Sequence, residues 1–136
     1  MMNRYCGKCL CGSCCYVITG EKPKFMYLCH CSRCRKETGS NHGANIFFDS
    51  AQVTWQTGEN NVRNFKLEGT GKERVFCNIC GTPLPWQNEL NHIVLPAGTL
   101  DMDDNFIVPT AHIFYANRAS WENKTLNLKC FDEAPE

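Results

Sequence analysis

The chain has 136 residues, the usual length of one domain, and its 14 basic residues balance its 14 acidic residues. This balance argues against a nucleic-acid-binding protein, because phosphate binding normally requires a basic excess. The 11 cysteines are an odd number, and the first residues lack the apolar core of a secretory signal. We therefore expect one soluble, cytoplasmic domain over residues 1–136, with no membrane span and with cysteines that bind metal rather than form disulfides.

Short apolar and β-branched runs recur between Gly, Asn, Asp and Pro residues, and their length and composition favour strands. The predicted strands cover residues 16–19, 25–28, 46–48, 53–55, 62–67, 74–77, 93–95, 106–108 and 113–115. No window of a dozen residues has a sustained helical period of apolar residues. Only residues 32–38 predict a short helical turn, with Ser32 as its N-terminal cap. The sequence therefore predicts a mainly β fold whose loops carry the chemistry.

Seven of the cysteines occur in three short clusters, two of which are pairs and one a triplet. The clusters are Cys9-x-Cys11, Cys29-His30-Cys31-x-x-Cys34 and Cys77-x-x-Cys80. Thiolates a few residues apart can bind one ion without the closure of a long loop, and zinc prefers tetrahedral sites made of thiolate or imidazole ligands. These spacings predict zinc binding.

The clusters can combine in two ways. In the first, the two pairs share one ion and the triplet forms a separate three-thiolate site. In the second, the triplet joins one pair, and the other pair is left with too few ligands to fill a metal site. We favour the first, because it uses every clustered cysteine and leaves no bare dithiol. Gly12 and Gly81 each follow the last cysteine of a pair, where glycine permits the tight turn that lets backbone N–H groups face the sulfurs.

A three-thiolate site leaves the fourth position of zinc open to water or substrate, and chemistry can occur there. His30 lies between two of the ligands and is expected to point away from their ion. His42, on a glycine-rich loop, is a candidate to close the fourth position, and His112 is either pocket-facing or a hydrogen-bonded core residue. We favour an open or labile fourth position over a closed one.

The spacing Cys9-x-Cys11-x-x-Cys14 is the same as the spacing of the triplet, so Cys14 is an alternative metal ligand. We favour a different interpretation, in which Cys14 and Cys15 begin a strand and Cys14 is a small buried apolar side chain.

Several motifs resemble, in their order along the chain, the glutathione-dependent formaldehyde-activating enzyme family, which includes the domain of centromere protein V. The resemblance runs from about residue 5 to residue 121. Its motifs are Gly7-x-Cys9-x-Cys11-Gly12, Cys29-His30-Cys31-x-x-Cys34-Arg35-Lys36, Phe76-Cys77-x-x-Cys80-Gly81-Thr82-Pro83-Leu84, Ala97-Gly98-Thr99-Leu100-Asp101, Pro109 with His112-Ile113, and Trp121.

The resemblance implies a single-domain, mainly β, Mss4-like zinc-binding fold of tent shape, with two zinc ions. It implies a structural zinc held by Cys9, Cys11, Cys77 and Cys80, and a catalytic zinc held by Cys29, Cys31 and Cys34. It also implies a carbon–sulfur lyase reaction run in reverse, in which glutathione and formaldehyde give S-(hydroxymethyl)glutathione.

On this hypothesis Arg35 and Lys36 are candidate contacts for the carboxylates of glutathione, and His112 or Glu37 is a candidate to move the proton. Exposed edge strands also make a homodimer an expectation. Cys14 departs from the apolar β-branched residue usual in the family, and three further cysteines are additional to its pattern. These are Cys6, Cys15 and Cys130.

Two other functions stay open from the sequence. The first is a non-catalytic binding module stabilised by zinc. The second is a thiol or zinc redox sensor that releases zinc from the three-cysteine site.

Overall fold

The structure is a computed structural model that describes residues 2–102 and 106–135. Within these ranges strands dominate and one α-helix interrupts them, so the prediction of a mainly β fold is confirmed. The elements are β1 (Asn3–Lys8), β2 (Cys15–Gly20), β3 (Phe25–Cys29), α1 (Ser32–Thr38), β4 (Gly43–Phe48), β5 (Ala51–Thr57), β6 (Val62–Lys66), β7 (Glu73–Cys77), β8 (Trp86–Gln87), β9 (Ile93–Pro96) and β10 (Ala111–Ile113). None of the helices within these ranges has the length and apolar character needed to cross a membrane.

The strands form three sheets. One has the order β1-β2-β5, a second has the order β10-β3-β4-β9-β8, and β6 pairs with β7 alone. All pairs are antiparallel except β10 with β3, which is parallel. This parallel pair places Ile113 beside Cys29 and His112 beside Leu28, although these residues lie more than 80 positions apart in the chain.

One hydrophobic cluster joins the first two sheets. Tyr16 and Ile18 of β2 and Ile46 and Phe48 of β4 are almost fully buried in it. These residues alternate along their strands, as expected for strands with one face against a core, and each contributes roughly 1.5–3 kcal/mol when buried. Three cysteines belong to the same hydrophobic core. Cys9 and Cys77 are members of the cysteine pairs, and Cys14 lies outside them.

The structure differs from the predicted strands at three places. Residues 106–108 form a turn and irregular backbone, not a strand, and Val108 is exposed while Ile107 packs against the core. Strand β10 ends at Ile113, because Phe114 takes a positive φ of 52° and starts a 3-10 turn. Strand β1 lies in a segment that the sequence left unassigned, since its polar and glycine residues hide its alternation.

Gly58 allows two loops to approach each other closely after β5. Its φ is 79°, and a Cβ atom there would lie 2.0 Å from the carbonyl oxygen of Ser13. Ser13 belongs to the turn that follows β1 and carries the first cysteine pair. The contact therefore fixes this turn against the end of β5.

We predict that Gly58→Ala destabilises the protein more than Gly69→Ala. Both glycines have a positive φ, 79° and 78°, so both substitutions carry the left-handed strain of about 1–2 kcal/mol. Only at Gly58 does the new Cβ overlap backbone, which adds about 1–3 kcal/mol, whereas nothing lies within 4 Å at Gly69. Urea unfolding of the metal-loaded proteins measures the difference. Equal losses would contradict the close contact.

Candidate metal centres

The first cysteine pair and the last pair meet at one site, the four-thiol centre. The sulfur atoms of Cys9, Cys11, Cys77 and Cys80 all lie within 4.8 Å of one another. Cys9 Sγ is 3.6 Å from Cys11 Sγ, and Cys11 Sγ is 4.0 Å from Cys77 Sγ. Sulfurs on one tetrahedral zinc ion are about 3.8 Å apart at ordinary Zn–S lengths. The four thiols therefore have the spacing of a filled tetrahedral site.

Two similar turns hold the cysteine pairs. Gly12 and Gly81, which follow the pairs, have φ angles of 82° and 80°. The N–H of Cys14 donates to Cys9 Sγ at 3.3 Å, and the N–H of Ile79 donates to Cys77 Sγ at 3.4 Å. The expectation that glycine permits turns with N–H groups facing the sulfurs is confirmed.

Hydroxyl groups beside the four-thiol centre favour thiolates. The Ser13 hydroxyl, 3.5 Å from Cys77 Sγ, acts with backbone N–H groups to lower the pKa of Cys77 to about 5. The Thr82 hydroxyl, 3.2 Å from Cys80 Sγ, lowers the pKa of that thiol to about 7. Metal ions bind the thiolate form, so these contacts prepare the site for a cation.

Cys14 lies next to the four-thiol centre but outside it. Its side chain is fully buried, and its Sγ donates to the carbonyl of Gly58 at 3.4 Å. Burial raises the pKa of Cys14 to about 12, and Cys14 does not belong to the group of four sulfurs that lie within 4.8 Å of one another. This agrees with the interpretation of Cys14 as a packing residue, although β2 itself begins one residue later, at Cys15.

The three additional cysteines lie outside both thiol groups. Cys15 Sγ donates to the Gly12 carbonyl at 3.4 Å, Cys6 is half-buried in β1, and Cys130 is exposed. All 11 cysteines are free thiols, as the prediction of metal binding over disulfides requires.

The central triplet forms a second site, the three-thiol centre. The sulfurs of Cys29, Cys31 and Cys34 lie within 4.8 Å of one another. Cys29 ends β3, and Cys34 lies in the first turn of α1. No fourth Cys, His, Asp or Glu among the described residues joins the group within that distance.

The N-terminal cap of α1 is Cys31, not Ser32 as predicted. Cys31 has extended backbone angles, and its Sγ accepts a hydrogen bond from the N–H of Cys34 at 3.3 Å. Burial opposes ionisation of Cys31, but this N–H and the neighbouring thiols lower its pKa overall. The Cys31 sulfur thus takes the capping role that a serine oxygen usually has. The same atom also lies within 4.8 Å of the Cys29 and Cys34 sulfurs.

Lys72 is the charged partner of the three-thiol centre, and the sequence analysis did not identify it. Its Nζ lies 3.5 Å from Cys34 Sγ and 2.7 Å from Glu37 Oε2. Burial opposes the charge on Lys72, but the hydrogen bond that Lys72 donates to Glu37, together with the interactions with Cys34 and the Glu37 charge, raises the pKa of Lys72 overall. Lys72 therefore stays protonated beside the thiols, and its charge would offset that of thiolates on a bound ion. Without an ion, burial raises the pKa of Cys34 and of Cys29. Its only signal in the sequence is a position between a glycine turn and a strand.

A small cavity of about 130 Å³ opens beside Cys29 and Cys34. Polar groups of Lys72, Asn45 and Asn88 line it together with apolar side chains, which are Tyr27, Phe47, Trp86, Val94 and Ile113. A larger cavity, of about 610 Å³, is lined by none of the clustered cysteines. The small cavity is lined by two cysteines of the three-thiol centre.

The other predicted site residues lie outside this cavity. Arg35 donates to the carbonyls of His30 and Asn117 at 3.3 and 3.2 Å, and with Lys36 it borders a different cavity of about 380 Å³. His112 is exposed, and its Nδ1 lies 2.8 Å from Nε2 of His30. His30 points away from the thiols, as predicted, but His42 faces His30 instead of reaching back to the three-thiol centre.

The fold and these sites define a mainly β protein with two thiol clusters that can hold metal ions. The family model described as glutathione-dependent formaldehyde-activating enzyme matches residues 4–117, and the chain belongs to this family. The predicted family is therefore confirmed, and so is the predicted mainly β fold with cysteine clusters that can bind metal.

A crystal structure of a Rhodobacter sphaeroides protein, a structural-genomics target, supports the fold. It aligns with 82% of this chain and 99% of its own, with a TM-score of 0.54 and 17% sequence identity. At this identity the likeness shows the fold alone. The chain has no significant match among curated proteins.

We predict that Cys80→Ser removes one zinc ion per chain and strongly destabilises the protein, whereas Cys15→Ser does neither. Metal binding at structural zinc sites contributes about 10–16 kcal/mol in small peptides, so a lost ligand has a large effect. The serine at position 15 keeps a donor for the Gly12 carbonyl. Elemental analysis and thermal unfolding measure both effects. Full zinc content in Cys80→Ser would contradict the four-thiol centre.

Proposed function

We propose that this protein is a carbon–sulfur lyase-type enzyme that joins glutathione to formaldehyde and gives S-(hydroxymethyl)glutathione. In this proposal the three-thiol centre holds a catalytic zinc ion through Cys29, Cys31 and Cys34, and the four-thiol centre holds a structural one. The observation that carries the proposal is the three-thiol group beside a cavity that is lined by the partly buried ammonium of Lys72. Family membership supports the same reaction.

The donor sets fit zinc in two different ways. The four thiols of the first centre fill a tetrahedral site, which is the pattern of structural zinc. The three thiols of the second centre leave a position for an incoming thiol, and zinc there would lower the pKa of that thiol and supply a Lewis acid. The remaining steps depend on the side chains around the cavity.

The size of the cavity limits what reacts inside it. A volume of about 130 Å³ accommodates the thiol end of a substrate and a one-carbon aldehyde, but not a whole tripeptide. Tyr27, Phe47 and Trp86 exclude water on the apolar side, so the reactants meet in fixed positions. The rest of glutathione would then lie across the surface outside the cavity.

Lys72 lies where it can donate the proton that the addition reaction requires. Addition forms the carbon–sulfur bond and converts the carbonyl oxygen into an alkoxide, which must gain a proton. Lys72 Nζ donates that proton, and the proton released by the incoming thiol restores the Lys72–Glu37 pair, so the overall charge does not change. Glu37, predicted as a possible proton carrier, contributes through Lys72. For His112 the same role stays a prediction, because its contact is with His30.

The carboxylates of glutathione need cations at the surface, and we retain Arg35 and Lys36 for that role. Neither forms an ion pair with a described residue, and Lys36 is the stronger candidate because the guanidinium of Arg35 already donates to two carbonyl oxygens. Both border the cavity of about 380 Å³, next to Trp121. Arg35 already binds two carbonyl oxygens, which fixes its guanidinium in place.

Two-dimensional exchange NMR of glutathione with formaldehyde tests the proposal. We expect zinc-loaded protein to accelerate the exchange, Cys31→Ser to abolish the acceleration, and Cys130→Ser, an exposed thiol outside both centres, to retain it. No acceleration by the wild-type protein with both centres filled would refute the enzyme and favour a zinc-stabilised binding module. Zinc release from the three-thiol centre under mild peroxide would instead favour the redox sensor. The homodimer stays a prediction.

We predict that Lys72→Met lowers the acceleration by about a hundredfold, the low end of general acid–base contributions, and that Lys72→Arg restores part of it. Lys24→Met is the matched control, because Lys24 also forms an ion pair, at 2.9 Å with Asp49, but lies away from the thiols. Zinc content should be unchanged in all three variants, whereas Lys72→Met lowers the melting temperature because it leaves the Glu37 carboxylate without its partner. Equal exchange rates in Lys72→Met and Lys24→Met would exclude Lys72 from the reaction.

A further inference from the structure

A third group of metal-ligating side chains lies outside both thiol centres, and the proposed reaction does not use it. One ring nitrogen from His30, one from His42 and one carboxylate oxygen of Glu122 lie within 4.8 Å of one another. The three residues come from the β3–α1 connection, the loop before β4 and a 3-10 turn near the C-terminus. We propose that this group, the His–His–Glu centre, binds a divalent first-row transition-metal ion.

Unpaired buried atoms point to a missing ligand at this place. His30 is fully buried, and its Nδ1 has no hydrogen-bond partner among the described residues. The Nδ1 of His42 and the Oδ1 of Asn41 are also buried without a partner in that part of the chain. Buried polar atoms are normally paired, so several unpaired atoms in one cluster call for an ion or another ligand.

The hydrogen bond to His112 suits metal binding by His30. His30 Nε2 lies 2.8 Å from His112 Nδ1, which leaves Nδ1 of His30 as its free nitrogen. Coordination through Nδ1 places the proton of His30 on Nε2, and that N–H then donates to His112. Ligating histidines commonly use their second nitrogen in this way, which fixes both the tautomer and the orientation of the ring.

Neighbouring side chains also orient the carboxylate. The Tyr115 hydroxyl donates to Glu122 Oε2 at 2.6 Å, and the Asn41 amide donates to Oε1 at 2.8 Å. These contacts leave each oxygen with capacity to bind a cation, and they lower the pKa of Glu122. The carboxylate is therefore charged and held in place before an ion arrives.

The donor set determines which ion suits the site. Two imidazoles and one carboxylate provide nitrogen and oxygen ligands, and they leave open positions, which suits Zn²⁺, Co²⁺, Ni²⁺ or Fe²⁺. Ligands on one such ion lie about 3.4 Å apart at ordinary Zn–N lengths, so small side-chain movements bring the three donors onto it. The absence of sulfur distinguishes this centre spectroscopically from the two thiol centres.

Binding there would have a consequence for the three-thiol centre. His30 lies between Cys29 and Cys31, so its backbone is part of that site. An ion on His30 and Glu122 would tie this segment to the C-terminal region. The backbone already makes one such link, from the N–H of His30 to the carbonyl of Ile113 at 3.0 Å.

Cobalt binding to the zinc-loaded full chain tests the proposal. With both thiol centres filled, equilibrium dialysis should show one added Co²⁺ per chain, with visible d–d bands and no sulfur-to-cobalt charge-transfer band. His42→Gln and Glu122→Gln should each weaken this binding by at least about tenfold and leave the zinc content unchanged. His92→Gln is the matched control, because His92 pairs with Asp49 at 3.0 Å elsewhere on the surface and should bind cobalt like the wild type.

Three outcomes would overturn the proposal. They are no added cobalt in the wild type, equal binding in the wild type and both variants, and a sulfur charge-transfer band that assigns the cobalt to a thiol centre. If His42→Gln fails to fold, Glu122→Gln decides, because Glu122 lies on a 3-10 turn near the surface. A loss of cobalt in Glu122→Gln with normal zinc content and circular dichroism supports the His–His–Glu centre.

Discussion

Four thiols drawn from the two halves of the chain share one small volume, and the rest of the structure depends on this. Cys9 and Cys11 follow the first strand, while Cys77 and Cys80 lie at the end of β7 and just beyond it, yet their sulfurs are all within 4.8 Å. Nearby hydroxyl and N–H groups favour thiolates there. Without a cation, thiolates at this distance would repel one another, so the same site that joins the first cysteine turn to β7 could hold a metal ion.

Strand β7 links the two thiol centres. It ends in Cys77 of the four-thiol centre, and Lys72, which contacts Cys34, directly precedes it. Between them Arg74 donates to the carbonyl of Glu37 in α1 and to the carbonyl of Gly81 in the second cysteine turn, the latter at 2.8 Å. One short strand and the residue before it therefore carry residues of both centres.

The segment from Cys29 to Cys31 separates two kinds of ligand. Its cysteines face the three-thiol centre, whereas His30 between them turns to His42, His112 and Glu122. Sulfur ligands and nitrogen ligands thus lie on different sides of the same backbone. This arrangement explains why His30 is fully buried even though its neighbours form a site that opens to a cavity.

The sequence by itself determined the mainly β fold, the family and the grouping of seven cysteines, because close spacing of ligands and short β-branched runs are local signals. It also located the glycines that shape both cysteine turns. The tertiary structure alone decided the partners that come from distant segments. Lys72 and Glu122 reach their groups through strand pairing and loop packing, so their local sequence does not reveal which residues they contact. Likewise, only the backbone geometry decided that Cys31 caps α1 and that β10 ends at Ile113, because the first depends on the extended angles of Cys31 and the second on the positive φ of Phe114.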